Sequence, residues 1–184
     1  MSADSEAHPE HAGAPPRIRP IRPDEVARVW EMLRALAEYE KLNDILTGDV
    51  GMLRDALFGA GPRIEALVAE RQGRLVGYAL FYPVFGSFRA RWRLWLEDLY
   101  VEPDERGRGT GAALMAELSR IALERGFYSV DWEVLDCNTP SIEFYERLGS
   151  KRIATDWFRY RLAGEALAAI AGKAKQRVPG ATPT

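Results

Sequence analysis

Apolar residues fall at helical spacing in several stretches of the chain and crowd into short strands between them. In residues 24–39, Val26, Val29, Trp30, Leu33 and Leu36 form one stripe behind the acidic Asp24 and Glu25, which predicts an amphipathic helix. A shorter helix is predicted over 49–58, broken by Gly59-Ala60-Gly61-Pro62. Leu114, Leu118 and Ile121 stand at i, i+4 and i+7, and Gly126 sits where a C-terminal cap belongs. Another helix opens at Asn138-Thr139-Pro140-Ser141, where Asn138 or Thr139 can cap and Pro140 suits the first turn. Its face carries Phe144 and Leu148, and Gly149 closes it. Strands are predicted over 17–21, 64–70, 75–84, 93–101 and 128–135, and within 152–162, with Gln72-Gly73 as a hairpin turn. A last short helix is predicted over 164–171. The order β-α-α-β-β-β-α-β-α-β describes an α/β chain: a mixed, twisted sheet with helices on both faces. One domain is expected over 17–171, after a disordered, proline-containing tail (1–16) and before a flexible tail (172–184).

Composition narrows the chemistry. A net charge of −2 gives no bulk electrostatic case for nucleic acid or an anionic membrane. The single Cys137 cannot make an internal disulfide and suits a reducing compartment, so a cytoplasmic protein is expected. No apolar run of about 18 residues exists to span a membrane, and the polar, acidic N-terminus is unlike a secretory signal. Both histidines, His8 and His11, lie in the N-terminal tail. Acid–base work in the folded part therefore falls to Asp, Glu, Tyr, Cys or water, and neither a zinc site nor a Ser-His-Asp triad is expected.

The chain is organised around residues 94–126, which read as strand, glycine-rich turn and helix. Arg106-Gly107-Arg108-Gly109-Thr110-Gly111 opens that helix. A helix N-terminus leaves backbone N–H groups without partners and carries partial positive charge. Glycines there let a ligand approach the backbone, so the junction predicts an anion site suited to phosphate. A Walker A loop is excluded because no lysine follows the glycines. Gly107, Gly109 and Ala112 fit a dinucleotide fingerprint, with Asp131, Glu133 or Asp136 near the acidic position. That fingerprint normally opens its domain, whereas this one lies past mid-chain. The third option is the pyrophosphate of coenzyme A.

Arg106-x-x-Gly109-x-Gly111 resembles the R/Q-x-x-G-x-G/A signature of the GNAT superfamily of acetyl-CoA-dependent N-acetyltransferases, and the element order is similar across residues 17–162. The resemblance implies the acyl-CoA N-acyltransferase fold: six or seven strands, with two parallel central strands that splay at the cofactor. It implies that the pantetheine arm of acetyl-CoA pairs with backbone from Leu99, Tyr100 and Val101, with the Leu99 N–H as oxyanion donor. The pyrophosphate would take Arg106, Gly107, Arg108, Gly109, Thr110, Gly111 and Ala112, and Asn138 and Ser141 would reach the arm. No metal is implied.

Acetyl transfer needs a neutral amine, a donor for the developing oxyanion and a proton for the departing thiolate. Tyr145 is the candidate acid, since a phenol with a pKa near 10 stays protonated at neutral pH. On its residues alone it reads rather as a core tyrosine packed beside Leu148; its setting, Asn138-x-x-Ser141-x-x-Phe144-Tyr145-x-x-x-Gly149, resembles the family element whose tyrosine is the acid. Glu97 is the candidate base, because a carboxylate inside an apolar strand is costly unless paired or useful. The alternative is an ion pair with Arg93 or Arg159.

Leu96-Glu97-Asp98 followed by three hydrophobic residues resembles the diamine (spermidine/spermine) acetyltransferases, in which the glutamate serves amine deprotonation. Tyr39-Glu40 followed by Ile45-Leu46-Thr47 is similar to that subfamily too, which implies substrate contact by Glu40 and Tyr39. Trp157 has a counterpart there. Thr155-Asp156 stands where the polyamine enzymes carry paired glutamates, and Val134-Leu135-Asp136-x-Asn138 resembles the thialysine branch. Glu38, Glu40, Asp44, Glu97, Asp98 and Asp156 suit a cationic substrate if they share a cleft. The expectation is an enzyme acetylating a primary amine of a diamine or lysine-like amino acid by direct attack, and a homodimer. Protein lysine or N-terminal amines as acceptors, or a non-catalytic coenzyme A-binding module, stand as alternatives.

Overall fold

The computed structural model describes residues 14–61, 63–153 and 160–175. Its elements are β1 (Arg17–Pro20), α1 (Val26–Glu40), α2 (Val50–Phe58), β2 (Glu65–Arg71), β3 (Arg74–Gly86), β4 (Arg91–Val101), α3 (Thr110–Glu124), β5 (Val130–Asp131), α4 (Thr139–Arg147) and α5 (Gly164–Lys175). The described residues up to Leu148 pack as one compact unit, and those from Gly149 onward, which include α5, form a second.

In the larger unit, one mixed sheet runs in the order β1-β2-β3-β4-β5. Neighbours are antiparallel except β4 and β5, which are parallel. Gln72 and Gly73, both with positive φ, make the tight β2–β3 turn that the Gln-Gly pair predicts. Alternation of side chains across the strands gives two apolar layers. One face carries Val68, Tyr78, Leu80 and Tyr100 against Val26, Val29 and Met32 of α1 and Leu53 and Leu57 of α2. The other carries Leu67, Ala79, Phe81, Leu94 and Leu96 against Leu114, Met115 and Leu118 of α3, with Phe144 and Tyr145 of α4 packed alongside. Asp49 caps α2 by accepting from the Met52 N–H, and Asn138 caps α4 by accepting from the Ser141 N–H.

Four expectations change. The α1 stripe is right except for its centre: Met32 is fully buried, while Trp30, Leu33 and Leu36 only pack against the core margin. The strand predicted over 128–135 shrinks to the two residues of β5, since β5 leaves β4 after Asp131 and the following residues lose their ladder partner. The described residues hold five strands, fewer than the six or seven expected. The strand predicted within 152–162 lies largely outside the described residues, and 151–153 and 160–163 are not strand. The expected C-terminal tail starts inside α5, which runs to Lys175; the N-terminal tail to residue 13 lies outside the described residues.

Met32 has no exposed surface. Met32→Ala is expected to destabilise the protein by about 2–5 kcal/mol, whereas Met52→Ala, at a position 63% exposed, stays within about 0.5 kcal/mol; urea unfolding of both variants checks this.

Candidate active site

The site begins with an irregularity in β4. Phe81 of β3 faces Leu96 and Leu80 faces Asp98, so Glu97 is an extra residue, a β-bulge. The bulge changes which way the following residues point. Leu96 lies in the layer against α3, and without the bulge Asp98 would lie there too. Instead Asp98 stands opposite Leu80, on the face covered by α1, and Leu99 turns to the α3 face.

The second feature is divergence. β4 and β5 pair only at Leu94–Val130 and Trp95–Asp131, then part. Beyond that point, among the described residues, one edge of β4 has no strand beside it. The Glu102 N–H points at the Val76 carbonyl of β3 (2.9 Å), so by alternation Leu99 and Val101 turn their backbone groups to the open edge. The Val101 carbonyl accepts the Arg106 Nε there, at 3.1 Å. A cleft of about 660 Å³ occupies the opening.

The loop between β4 and α3 forms one wall. Gly107 and Gly109 have φ of 74° and 80°, a region that demands glycine. Gly109 is also the N-cap of α3 and offers no side chain to the first-turn N–H groups, which leaves them for an anionic ligand. At Gly111 a Cβ would come within 3.1 Å of the Phe144 ring, so this glycine serves the contact between α3 and α4. Glu105 anchors the loop: its carboxylate is buried, 2.9 Å from Arg71 Nε, 3.4 Å from Arg74 and 3.6 Å from Arg108. Arg108 is thereby drawn to Glu105 and does not line the cleft. Arg106 does line it, with its guanidinium 4.9 Å above the Tyr39 ring.

The titratable groups gather where β4, α1 and α4 meet. Glu97 is exposed and accepts hydrogen bonds from Tyr82 Oη and Trp95 Nε1, both at 2.9 Å. The sequence expectation of a carboxylate inside an apolar strand therefore fails for Glu97: the bulge turns it outward, and its partners are a phenol and an indole, not Arg93. The half-buried carboxylate is Asp98. Burial, and then the charges of Glu97 and Glu40, push it up to about 7. Burial also raises Glu40. Among the described residues, neither Glu40 nor Asp98 forms a hydrogen bond or an ion pair. The Tyr145 phenol is pushed up to about 12, first by burial and then by Glu40 and Asp98. Its ring lies 4.7 Å from that of Trp132 and 5.1 Å from that of Phe144. Tyr39 Oη donates to Asn138 Oδ1 at 3.4 Å.

Of the residues singled out in the sequence, Tyr39, Glu40, Glu97, Asp98, Leu99, Tyr100, Val101, Arg106, Gly107, Gly109, Thr110, Gly111, Ala112, Asn138, Ser141 and Tyr145 all line this cleft. Glu38 and Asp44 are exposed and do not line it; Trp157 and Asp156 lie outside the described residues. The sequence reading missed Trp132 and Phe144, whose rings pack against Tyr145, and Glu105. Nothing in the sequence marked Trp132 apart from other strand residues. Glu105 was legible only as a neighbour of the loop. Among the described residues, no group of three or more His, Cys, Asp or Glu is placed to hold a metal, and no helix is long and apolar enough to cross a membrane.

Similarity to known proteins agrees with this geometry. The profile of the acetyltransferase (GNAT) family matches residues 29–150. The thialysine N-epsilon-acetyltransferase of Sus scrofa is 35% identical over 166 residues, 85% of this chain and 97% of its own. The L-ornithine N5-acetyltransferase of Arabidopsis thaliana is 34% identical over 96 residues, 52% of this chain and 42% of its own. Among solved structures, an integron cassette protein from the mobile metagenome of V. cholerae superposes with a TM-score of 0.68 at 22% identity, covering 86% of this chain and 99% of that one. The chain belongs to the acetyltransferase (GNAT) family and is an N-acetyltransferase.

Proposed function

We propose that the protein moves the acetyl group of acetyl-CoA to a primary amine of a small cationic substrate, of the lysine-like or diamine kind. One observation carries the substrate class. Glu40 and Asp98 line the cleft and form no ion pair among the described residues, and burial has already raised both. Two partly desolvated carboxylates without a counter-charge are unfavourable on their own and are relieved by an ammonium group. The named activities of the pig and Arabidopsis relatives, on thialysine and ornithine, agree with this reading.

The cofactor fits the other side of the site. The uncapped N-terminus of α3, with Gly107 and Gly109 open to their surroundings, suits the pyrophosphate, joined by Arg106, Thr110, Gly111 and Ala112. The free edge of β4 at Leu99–Val101 suits the amide groups of the pantetheine, with Asn138 and Ser141 beside it. Arg108 remains a proposed contact only for phosphate outside the cleft. Acetyl-CoA supplies the activated thioester. The chain supplies the rest. The Leu99 N–H on the open edge stabilises negative charge on the carbonyl oxygen. Tyr145, protonated throughout the neutral range, gives its proton to the departing sulfur. A carboxylate, Glu97 through water or Asp98, takes the proton of the incoming ammonium.

Thiol release from acetyl-CoA, measured with thialysine, ornithine, spermidine, putrescine and a lysine peptide, tests the reading. Turnover of at least one small amine is expected, and turnover of the peptide alone overturns the substrate class. Tyr145→Phe is expected to lower kcat at least about 100-fold with little change in KM. Glu40→Gln is expected to raise KM for the amine about tenfold, the loss of one hydrogen bond to a charged group, with KM for acetyl-CoA unchanged; steady-state kinetics in both substrates separate the two effects.

A further inference from the structure

We infer that Asp98, and not its neighbour Glu97, is the base that takes the proton from the ammonium substrate. The inference rests on the proposed acetyl transfer and assigns one of its steps.

The geometry separates the two carboxylates. Glu97 is the bulged residue: it is exposed, and both its hydrogen bonds hold one carboxylate oxygen. That oxygen is already engaged by a phenol O–H and an indole N–H, and the side chain opens to water, not to the buried α1 face of the cleft. Asp98 follows the bulge and so stands on the α1 face, half-buried and lining the cleft, without a hydrogen bond or ion pair among the described residues. The groups facing it are Glu40 of α1, Glu97 on its own strand, Tyr78 of β3 and Tyr145 of α4. None is a cation. The Tyr78 hydroxyl, itself buried and unpartnered, adds no stabilising bond to the Asp98 anion.

The magnitudes favour the same residue. A primary amine like that of lysine has a pKa near 10.4 and an ordinary aspartate one near 3.9, so transfer between them is uphill by roughly six and a half powers of ten. With Asp98 raised to about 7, that deficit shrinks by about a thousandfold. Burial is the largest cause of the shift. It persists when a substrate fills the cleft and excludes water, even as the ammonium offsets the repulsion of Glu97 and Glu40.

Proton accounting closes. The ammonium gives one proton to the Asp98 carboxylate, which later releases it to solvent. The freed lone pair forms the C–N bond as the C–S bond breaks. The sulfur receives its proton from Tyr145, whose phenolate recovers one from the nitrogen. An ammonium and a thioester become an amide, a thiol and one released proton.

The test compares Asp98→Asn and Glu97→Gln with the wild type, using acetyl-CoA and the best amine of the panel. Wild-type kcat/KM is expected to fall on the acid side with a midpoint near pH 7. Glu97→Gln keeps that midpoint, while Asp98→Asn loses at least about 100-fold at pH 7 and no longer shows it. A readout without turnover is carboxyl 13C NMR of the ligand-free protein, in which one aspartate titrates near pH 7 and disappears in Asp98→Asn. Melting temperatures supply a second. Native Asp98 binds its proton more tightly than the unfolded chain does, so the wild type loses stability as pH rises from about 4 to about 7. The Asp98→Asn variant lacks this loss, and its melting temperature relative to wild type climbs across that range. An acid limb that survives in Asp98→Asn and vanishes in Glu97→Gln overturns the assignment. So does an aspartate titration confined to the ordinary carboxylate range. Failure of the wild type on every amine overturns the acetyl-transfer reading and the base with it, whereas an active wild type with an unaltered Asp98→Asn profile overturns the base alone.

Discussion

Everything at this site depends on how β4 is interrupted. A strand fully paired on both edges has neither backbone groups to offer a ligand nor a place for a charge. Two departures change that within a few residues. The parallel ladder with β5 stops after Trp95–Asp131, which frees one edge of β4. The bulge at Glu97 then resets the alternation, so that Leu99 directs its side chain to the α3 face and Asp98 directs its carboxylate to the α1 face. In the proposed reading, the acetyl donor meets the open backbone edge at Leu99 and the amine meets the Asp98 carboxylate, two adjacent residues of one strand.

The other buried carboxylates show what is unusual about Asp98. Glu25 is buried, yet Arg19 and Arg22 hold it, and the hydrogen bond from Arg19 keeps it below the usual carboxylate range. Glu105 is buried as well and sits among Arg71, Arg74 and Arg108. These are structural charges, each compensated inside the fold, and removing a partner from such a pair is costly. Asp98 and Glu40 have no such partner among the described residues. In a chain with 25 lysines and arginines, the missing counter-charge is the site's distinguishing property, and it is what the proposed cationic substrate would complete.

Much of this was legible before any coordinates. The glycine loop, the cap at Asn138 and the helix that places Tyr145 are local features, written in residue types at fixed spacing, and each stands where the spacing puts it. The bulge was not legible. Leu96-Glu97-Asp98-Leu99 reads as alternation with one charge too many, and only the register with β3 tells which carboxylate is turned outward. The shortening of β5 was hidden for the same reason: Val130, Trp132 and Val134 alternate as a strand should, but a ladder also needs a partner, and β4 departs. Burial of Met32 ahead of Trp30 likewise depends on how α1 seats on the sheet, which its own stripe does not specify. Long-range pairing decided each of these, and local pattern decided the rest.

The end of α1 ties the two halves of the site together. Tyr39 stacks beneath Arg106 of the glycine loop and reaches Asn138 at the cap of α4, while the next residue, Glu40, lines the side of the cleft proposed for the amine. Arg106 is in turn held by the Val101 carbonyl on the open edge of β4. A single helix terminus thus touches the loop proposed for the pyrophosphate, the cap of the helix that carries Tyr145 and the carboxylate proposed to receive the substrate. Lys41, in the left-handed conformation immediately after Glu40, ends the helix there. Continuing α1 by even one more residue in helical geometry would carry the following chain in another direction. The position of that helix end is therefore as much a part of the site as the bulge: the bulge brings Asp98 to the α1 face, and the helix end supplies the residues that meet it.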